Sequence, residues 1–332
     1  MPKIAVVIPT LAADACLLEC LAALERQRFR DFRTVVVDNS GHGAIHRAGA
    51  ARYAFQLVEN PSNLGFGEAV NRGYAAVPAE YLAVLNDDAC PDPGWLEELH
   101  RAMECTPEAG MAACRIVQAG TGRLDSAGLG IALDGSSKQV GRGRPAAEQS
   151  SPREALIPSG CAAIYRRRMI EDTGGFEGSF FLYCEDTDLA LRGHWAGWRC
   201  LYVPAATVEH RYSATTGAAS PMKAYLVERN RLRMAVRCLP MSWLLRLPWA
   251  SALRYGYHFL AMASGRGSAG AFARGNSPWQ LPWLVVKAHL ALLRDLPSLW
   301  TQRRRVTRRI SARALSARLR AHRVSLREVA DQ

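Results

Sequence analysis

Phe180 to Arg192, Phe-Phe-Leu-Tyr-Cys-Glu-Asp-Thr-Asp-Leu-Ala-Leu-Arg, is the stretch of this 332-residue chain best equipped for chemistry. Glu185, Asp186 and Asp188 fall within four positions, with apolar residues on both sides. Ionised carboxylates in an apolar setting cost several kcal/mol unless a cation, a proton or hydrogen bonds compensate. A sequence that places them there is a candidate for using their charge or their basicity. A second reading stands beside it. Acids favour the positive end of a helix, and Asp186 or Thr187 would cap a helix over Leu189 to Arg192. The two are compatible, because a capped acidic turn is a good place to hold a base.

Further polar residues sit where apolar runs end. Ile4 to Ile8 stops at Pro9-Thr10, Phe32 to Val37 at Asp38-Asn39-Ser40-Gly41, and Tyr81 to Leu85 at Asn86-Asp87-Asp88. Each alone also reads as an ordinary turn. Taken as three strand ends they agree with the rule that open parallel sheets bind ligands beyond the carboxyl ends of their strands. Paired acids after a fully apolar strand are also typical oxygen ligands for Mg2+ or Mn2+.

The elements that must position these groups follow from periodicity. Ile4–Ile8, a helix with Leu17, Leu18, Leu21 and Leu24 on one face and Asp14 as cap, and Phe32–Val37 form a right-handed βαβ unit. Phe55–Val58 and Tyr81–Leu85 add strands, and Asn60-Pro-Ser-Asn63-Leu-Gly65-Phe-Gly67 turns into a helix over about 68–76. Pro93–Glu104 reads as a helix with Trp95, Leu96, Leu99 and Met103 inward. Short strands follow at 111–117, 128–133 and 162–165, with a mobile polar loop at 141–152 and another strand at 194–203. The class is α/β.

The segments Val7-Ile-Pro9-Thr10, Val36-Val-Asp38-Asn-Ser, Asn63-Leu-Gly65-Phe, Leu85-Asn86-Asp87-Asp88, Ser159-Gly160-Cys-Ala, Gly174-Gly-Phe and Phe181-Leu-Tyr-Cys-Glu185-Asp186-Thr-Asp188-Leu occur in that order. The set resembles family 2 glycosyltransferases, in particular the branch of bacterial rhamnosyltransferases and galactofuranosyltransferases, over roughly residues 3 to 235. The resemblance implies a GT-A fold: a mostly parallel, Rossmann-like nucleotide-binding sheet with a mixed sheet on the acceptor side. It implies a nucleotide-sugar donor, a divalent metal (Mg2+ or Mn2+), a glycan or lipid-linked acceptor and inversion at the anomeric carbon. Asp38 matches the acid that binds the donor's base or ribose. Pro9 and Thr10 flank it, and Asn63, Gly65, Asn86 and Asp87 join the donor side. Asp88 matches the last acid of the metal-binding motif, whose first acid is here Asn86. His210 is similar to a metal-completing histidine of some relatives, or is a strand-end residue. Asp186 matches the catalytic base, with Glu185 as second choice. Gly160, Asp188 and Arg229 fall to the acceptor side, Asp188 with a structural role.

Composition narrows the partners. The nine cysteines form no Cys-x-x-Cys pair, so neither a structural zinc site nor a disulfide framework is expected, and a reducing cytoplasm suits them. No uncharged apolar stretch of about 18 residues is present. The net charge of +12 lies entirely past residue 239, where 16 Lys and Arg face three Asp and Glu. That asymmetry divides the chain into a catalytic domain, 1–239, and an Arg-rich helical region, 240–332. Two apolar, aromatic segments, 241–263 and 279–300, carry almost no acids and suit an interfacial helix on anionic lipid at the inner face of the cytoplasmic membrane. Packing on the catalytic domain, or a homo-oligomer contact, would use the same faces. Nucleic acid is not expected, because aromatic residues are absent after Trp300. Two rival functions remain at this level. A sugar-phosphate nucleotidyltransferase would need a Gly-rich basic loop after the first strand, and a non-enzymatic binding protein would leave the acids without purpose.

Overall fold

The computed structural model describes residues 1–211, 220–277 and 279–331. Its frame is β1 (Ile4–Thr10), α1 (Ala15–Glu25), β2 (Phe32–Asp38), β3 (Gln56–Glu59), α2 (Phe66–Ala76) and β4 (Tyr81–Leu85). These four strands are parallel neighbours in the order β3-β2-β1-β4. Side chains along β1 alternate between two cores: Ala5 and Val7 face one, Ile4, Val6 and Ile8 the other. Burial on both faces is why the central strands are continuous apolar runs. Asp14 caps α1, accepting from the Cys16 N–H at 2.9 Å.

The chain continues through β5 (Ala89–Pro91), α3 (Trp95–Glu104), β6 (Ala109–Gln118), β7 (Leu124–Ser126), β8 (Leu129–Ile131), β9 (Ser137–Gln139), β10 (Arg153–Ala155) and β11 (Ala162–Arg166). Next come α4 (Arg167–Thr173), α5 (Glu185–Trp195) and β12 (Arg199–His210). The full order is β10-β12-β6-β11-β4-β1-β2-β3, with β5 on β12, β7 on β6, and β8-β9 as a separate hairpin. β11 runs antiparallel between β4 and β6, which makes this half mixed.

Two expectations change. The stretch 194–203 is not one strand. His194 and Trp195 end α5, and β12 begins at Arg199 and runs to His210. The imidazole of His194 is buried between the carbonyls of Leu156 and Trp198, a partnership the apolar pattern could not reveal. The 141–152 loop is tied down at its start, since Leu124 donates to the Arg144 carbonyl and Gly143 donates to that of Leu124.

Past β12 the chain is helical: α6 (Pro221–Cys238), α7 (Met241–Leu244), α8 (Leu247–Ala263), α9 (Gly267–Gly275), α10 (Gln280–Arg305), α11 (Ala312–Ala321) and α12 (Leu326–Asp331). Pro248 sits in the first turn of α8, where a missing N–H is harmless, and so begins that helix instead of breaking it. Pro297 lies inside α10, which continues through it. Residues beyond 239 enter the main core, with Trp243, Leu315 and Leu319 buried in it. The backbone at His322 and Val324 bonds to Ile131 of β8. A buried ionic group ties α6 to α8: Glu228 and Arg231 of α6 with Arg254 of α8, closed by Asp134 in the β8-β9 turn.

Candidate active site

Asp186 and its neighbours open α5, so all three acids lie in the first turn, at the positive end of the helix. The helix starts earlier than the capping alternative required. Its N-cap is Cys184, which makes no side-chain cap bond. The approach to it is a contorted loop in which Phe181, Tyr183 and Cys184 all have positive φ (66°, 72° and 66°). Non-glycine residues held there store strain that the surroundings must offset, and such strain gathers at functional sites. Asn230 of α6, fully buried, supplies the offset. Its amide nitrogen donates to the carbonyls of Phe180, Leu182 and Tyr183 at 2.8–2.9 Å. Arg229 donates to the Phe180 carbonyl at 2.9 Å, so it supports the same loop.

Gly65 completes the clamp from the other side. Its φ is +85°, and a Cβ there would lie 2.3 Å from the Phe181 carbonyl oxygen. Only glycine fits. Asn63 accepts from the Gly65 N–H at 2.9 Å and from the Asn39 amide at 3.0 Å. The Asn63-Leu-Gly65 turn thus shapes the acidic loop through its backbone. Asn230→Ala removes the three bonds from α6, and a displacement near 1 Å costs about 10²-fold in rate. The expected result is a kcat loss of that order with donor KM little changed, measured by steady-state kinetics on protein whose melting curve shows it folded. An unchanged kcat would count against the clamp.

The two leading acids are not equivalent. Asp186 is partly exposed and accepts from the Gly160 N–H at 3.1 Å and from the Thr187 N–H and hydroxyl at 2.6 and 3.2 Å. Glu185 is buried, and its Oε2 has no hydrogen-bond partner. Burial, then the Asp186 charge, push the Glu185 carboxyl well up from its ordinary value. Burial raises Asp186 too, against those hydrogen bonds. Burial thus favours the neutral form of Glu185 most, while the hydrogen bonds from Gly160 and Thr187 favour the charged form of Asp186. Asp188 is fully buried; Arg192 and Arg237 bind it, and Arg192 also holds the Thr173 and Gly175 carbonyls. Its partners make it a brace between α5, α6 and the Gly174-Gly175 turn.

The second half of the site lies at the ends of β4 and β12. Asp88 Oδ1 and His210 Nε2 are 3.3 Å apart, and His210 Nδ1 is 2.9 Å from Asp125 Oδ2. Burial works against the imidazolium, but the Cys161 thiol and then the carboxylates of Asp125 and Asp88 outweigh it and hold His210 above its ordinary pKa. Asp125, in β7, is the functional neighbour that the sequence reading missed. A carboxylate on Nδ1 fixes the ring, and a metal at Nε2 would have to displace the proton that faces Asp88. Oxygen from Asp88 and nitrogen from His210 fit Mn2+ or Mg2+. Among the described residues no group of three or more His, Cys, Asp or Glu would hold a metal unaided, so phosphate oxygens or water would complete the set.

The Ser159-Gly160-Cys161 turn joins the halves. Gly160 bonds Asp186, while the carbonyl of Cys161 takes the Asn86 N–H at 2.8 Å and its thiol contacts His210. Adjacent residues thus touch Asp186 and the Asp88–His210 pair. On the donor side Thr10 pairs with Asp38 across β1 and β2, and its hydroxyl bonds Asp87. Burial, then the charges of Asp88 and Asp14, push Asp87 up to about 6. Asp38 is buried; although burial opposes it, the Ile45 N–H and Ser40 hold its carboxyl below the ordinary value. Pro9, paired with Val37, lies between these strand ends.

Comparison with known proteins identifies the fold and the family. The chain is 29% identical over 272 residues to N-acetylglucosaminyl-diphospho-decaprenol L-rhamnosyltransferase of Mycobacterium tuberculosis, covering 73% of this chain and 88% of that one. It is 28% identical over 250 residues to the pre-mycofactocin glycosyltransferase of the same organism, covering 71% and 52%. Among solved structures, the mannosyltransferase PcManGT from Pyrobaculum calidifontis in complex with GDP-Man and Mn2+ superposes with a TM-score of 0.56 at 19% identity, over 96% of this chain and 87% of that one. S. aureus TarS 1-349 in complex with UDP-GlcNAc gives 0.56 at 15%, over 91% and 89%. The fold is GT-A, and the nucleotidyltransferase and scaffold readings fall away. With residues 5–174 matched by the model of glycosyl transferase family 2, more than half of its length, the chain belongs to that family and is a glycosyltransferase.

Proposed function

We propose that this enzyme is an inverting transferase moving a sugar from a nucleoside-diphosphate donor, dTDP-rhamnose or a UDP-sugar, to a hydroxyl of a lipid-linked or polysaccharide acceptor. The observation that carries the reading is the Gly160-Cys161 junction, which sets a hydrogen-bonded carboxylate beside a carboxylate–imidazole pair. Asp186, oriented by the Gly160 and Thr187 N–H groups, takes the acceptor hydroxyl's proton as that oxygen bonds to the anomeric carbon. The bond from that carbon to the donor's diphosphate breaks on the opposite face. Asp88 and His210 would hold the metal, which when bound offsets the charge of the departing diphosphate. Thr10, Asp38 and Asp87 face the nucleotide end.

A panel of nucleotide sugars tests the reading, because the enzyme should release nucleoside diphosphate from one of them in the presence of Mn2+. Silence across UDP-, dTDP- and GDP-sugars would sink it. Asp88→Asn tests the metal pair. Ligand at 100 times its Kd stabilises a protein by about 2.7 kcal/mol, so the nucleoside diphosphate with Mn2+ should raise the wild-type melting temperature and leave that of Asp88→Asn nearly unmoved.

The same reading places the enzyme at the inner face of the cytoplasmic membrane. No described helix is long and apolar enough to cross a membrane. Trp279, Trp283, Val286, Leu290 and Leu293 nevertheless form an exposed stripe along α10, and Trp249, Leu253 and Leu260 another along α8. Aromatic stripes within the Arg-rich C-terminal region suit anionic headgroups. The wild type should sediment with phosphatidylglycerol vesicles and not with phosphatidylcholine, and Trp249→Ser with Trp283→Ser should abolish this. Equal sedimentation of that variant would exclude these faces; a dimer dissolved by the same substitutions would assign them to self-association.

A further inference from the structure

Lys138, Arg142 and Lys223 come from three separate parts of the chain and lie close enough to act on one another electrostatically. Lys138 lies on β9, next to Ser137, whose hydroxyl is 2.9 Å from that of Thr187. Lys223, in the first turn of α6, places its ammonium 5.6 Å from the ring centre of Tyr183 in the strained loop. Arg142 is 3.6 Å from Asp125, the acid that holds His210, and lines an open cleft with His210 and Arg211. Arg142 thus borders the Asp88–His210 side, and Lys223 the strained loop that leads to Glu185.

The charged groups that act on Lys138 are all cations: Arg142, Arg254 and Lys223. Arg254 is neutralised by Asp134 and Glu228. Among the described residues neither Lys138 nor Lys223 forms an ion pair, and residues 212–219 contain no acid in sequence. Burial and the neighbouring cations push Lys138 down to about 8, and burial with Arg142 lowers Lys223. Two half-buried ammoniums without acid partners, gathered near a guanidinium that meets Asp125, incur a repulsion that an anion would relieve.

We propose that Lys138, Arg142 and Lys223 form a binding site for a diphosphate group. Two uncompensated ammoniums and a guanidinium suit the two to three negative charges of a diphosphate better than a single carboxylate. The inference rests on the transferase reading, which supplies two sources of that chemistry: the donor's departing diphosphate and the diphosphate of a lipid-linked acceptor.

Calorimetric titration separates them. Farnesyl diphosphate in EDTA probes the acceptor source, and the nucleoside diphosphate with Mn2+ probes the donor source. The Lys138→Ala/Lys223→Ala double variant should weaken at least one of these by about tenfold or more. The Lys138→Arg/Lys223→Arg variant should restore it, which separates charge from folding. Loss confined to farnesyl diphosphate assigns the site to the acceptor, and loss confined to the nucleotide assigns it to the donor. Both affinities unchanged in the Ala variant, or no rescue by Arg, overturns the proposal. Release of nucleoside diphosphate by the wild type is scored separately, so failure of the transferase reading is not confused with failure of the site.

Discussion

Asp186→Asn is expected to leave the fold and donor affinity intact and to lower kcat by about 10²- to 10⁴-fold, the range a positioned general base contributes. The amide keeps the shape of the side chain and can accept from one of the two N–H groups, since Gly160 and Thr187 donate to different oxygens; the donor-side residues make no contact with it, so donor binding should change little. It cannot take a proton, so transfer should fall. Glu185→Gln is the internal control. Glu185 is buried with one oxygen unpartnered, and burial already favours its neutral form. Replacing it should leave most of the turnover and change the stability of α5 little, because the amide is neutral like the carboxyl that burial favours. Rates from quenched reactions, with donor binding by calorimetry, decide between the two acids. Near-normal kcat in Asp186→Asn with collapse in Glu185→Gln would reverse their roles.

The residues that were legible in the sequence share one physical property: they interrupt strong patterns. Thr10, Asp38 and Asp88 stand at the ends of apolar runs, and those runs are strong because β1, β2 and β4 are buried on both faces. Gly65 and the acids of α5 stood out in the same way. Asp125 could not be read so. It is one acid in a three-residue strand, and it reaches His210 only because β7 pairs with β6 while β6 pairs with β12. Asn230 is hidden for a related reason, since its three acceptors are main-chain carbonyls some 50 residues away. The tail was half legible. Its excess of arginine is a matter of counting, but composition does not say that Arg254 meets Asp134 and Glu228, or that Arg309 meets Asp172. Those pairings bring part of the basic region into the body of the protein, while the aromatic stripes of α8 and α10 stay outside it.

Arg231→Met should be the most destabilising single change outside the site. Arg231 is fully buried, and its guanidinium reaches Glu228, the Asp134 carboxylate and carbonyl, and the hydroxyls of Ser251 and Tyr255. Removing one member of a buried ionic group costs about 3–5 kcal/mol, mostly because the remaining charges lose their partner. Arg254 would be left alone with two carboxylates, Glu228 and Asp134, whose mutual repulsion it could not fully offset. The loss should appear in urea unfolding as a lower midpoint with an unchanged slope, since the same surface is still exposed on unfolding. It should also appear as one transition. Trp243, Leu315 and Leu319 share a core with β1 and β4, and the group around Arg231 lies at the seam between α6 and α8. Weakening that seam weakens the whole. Two separated transitions, with only the later residues melting early, would mean that the chain past Leu239 folds as a unit of its own. Replacing Glu228, Arg231, Arg254 and Asp134 together by apolar residues of similar volume should then recover much of the stability, since no charge would be left buried without its partner. That recovery would show that the four residues interact as a set, and that the cost of Arg231→Met lies in the acids left behind.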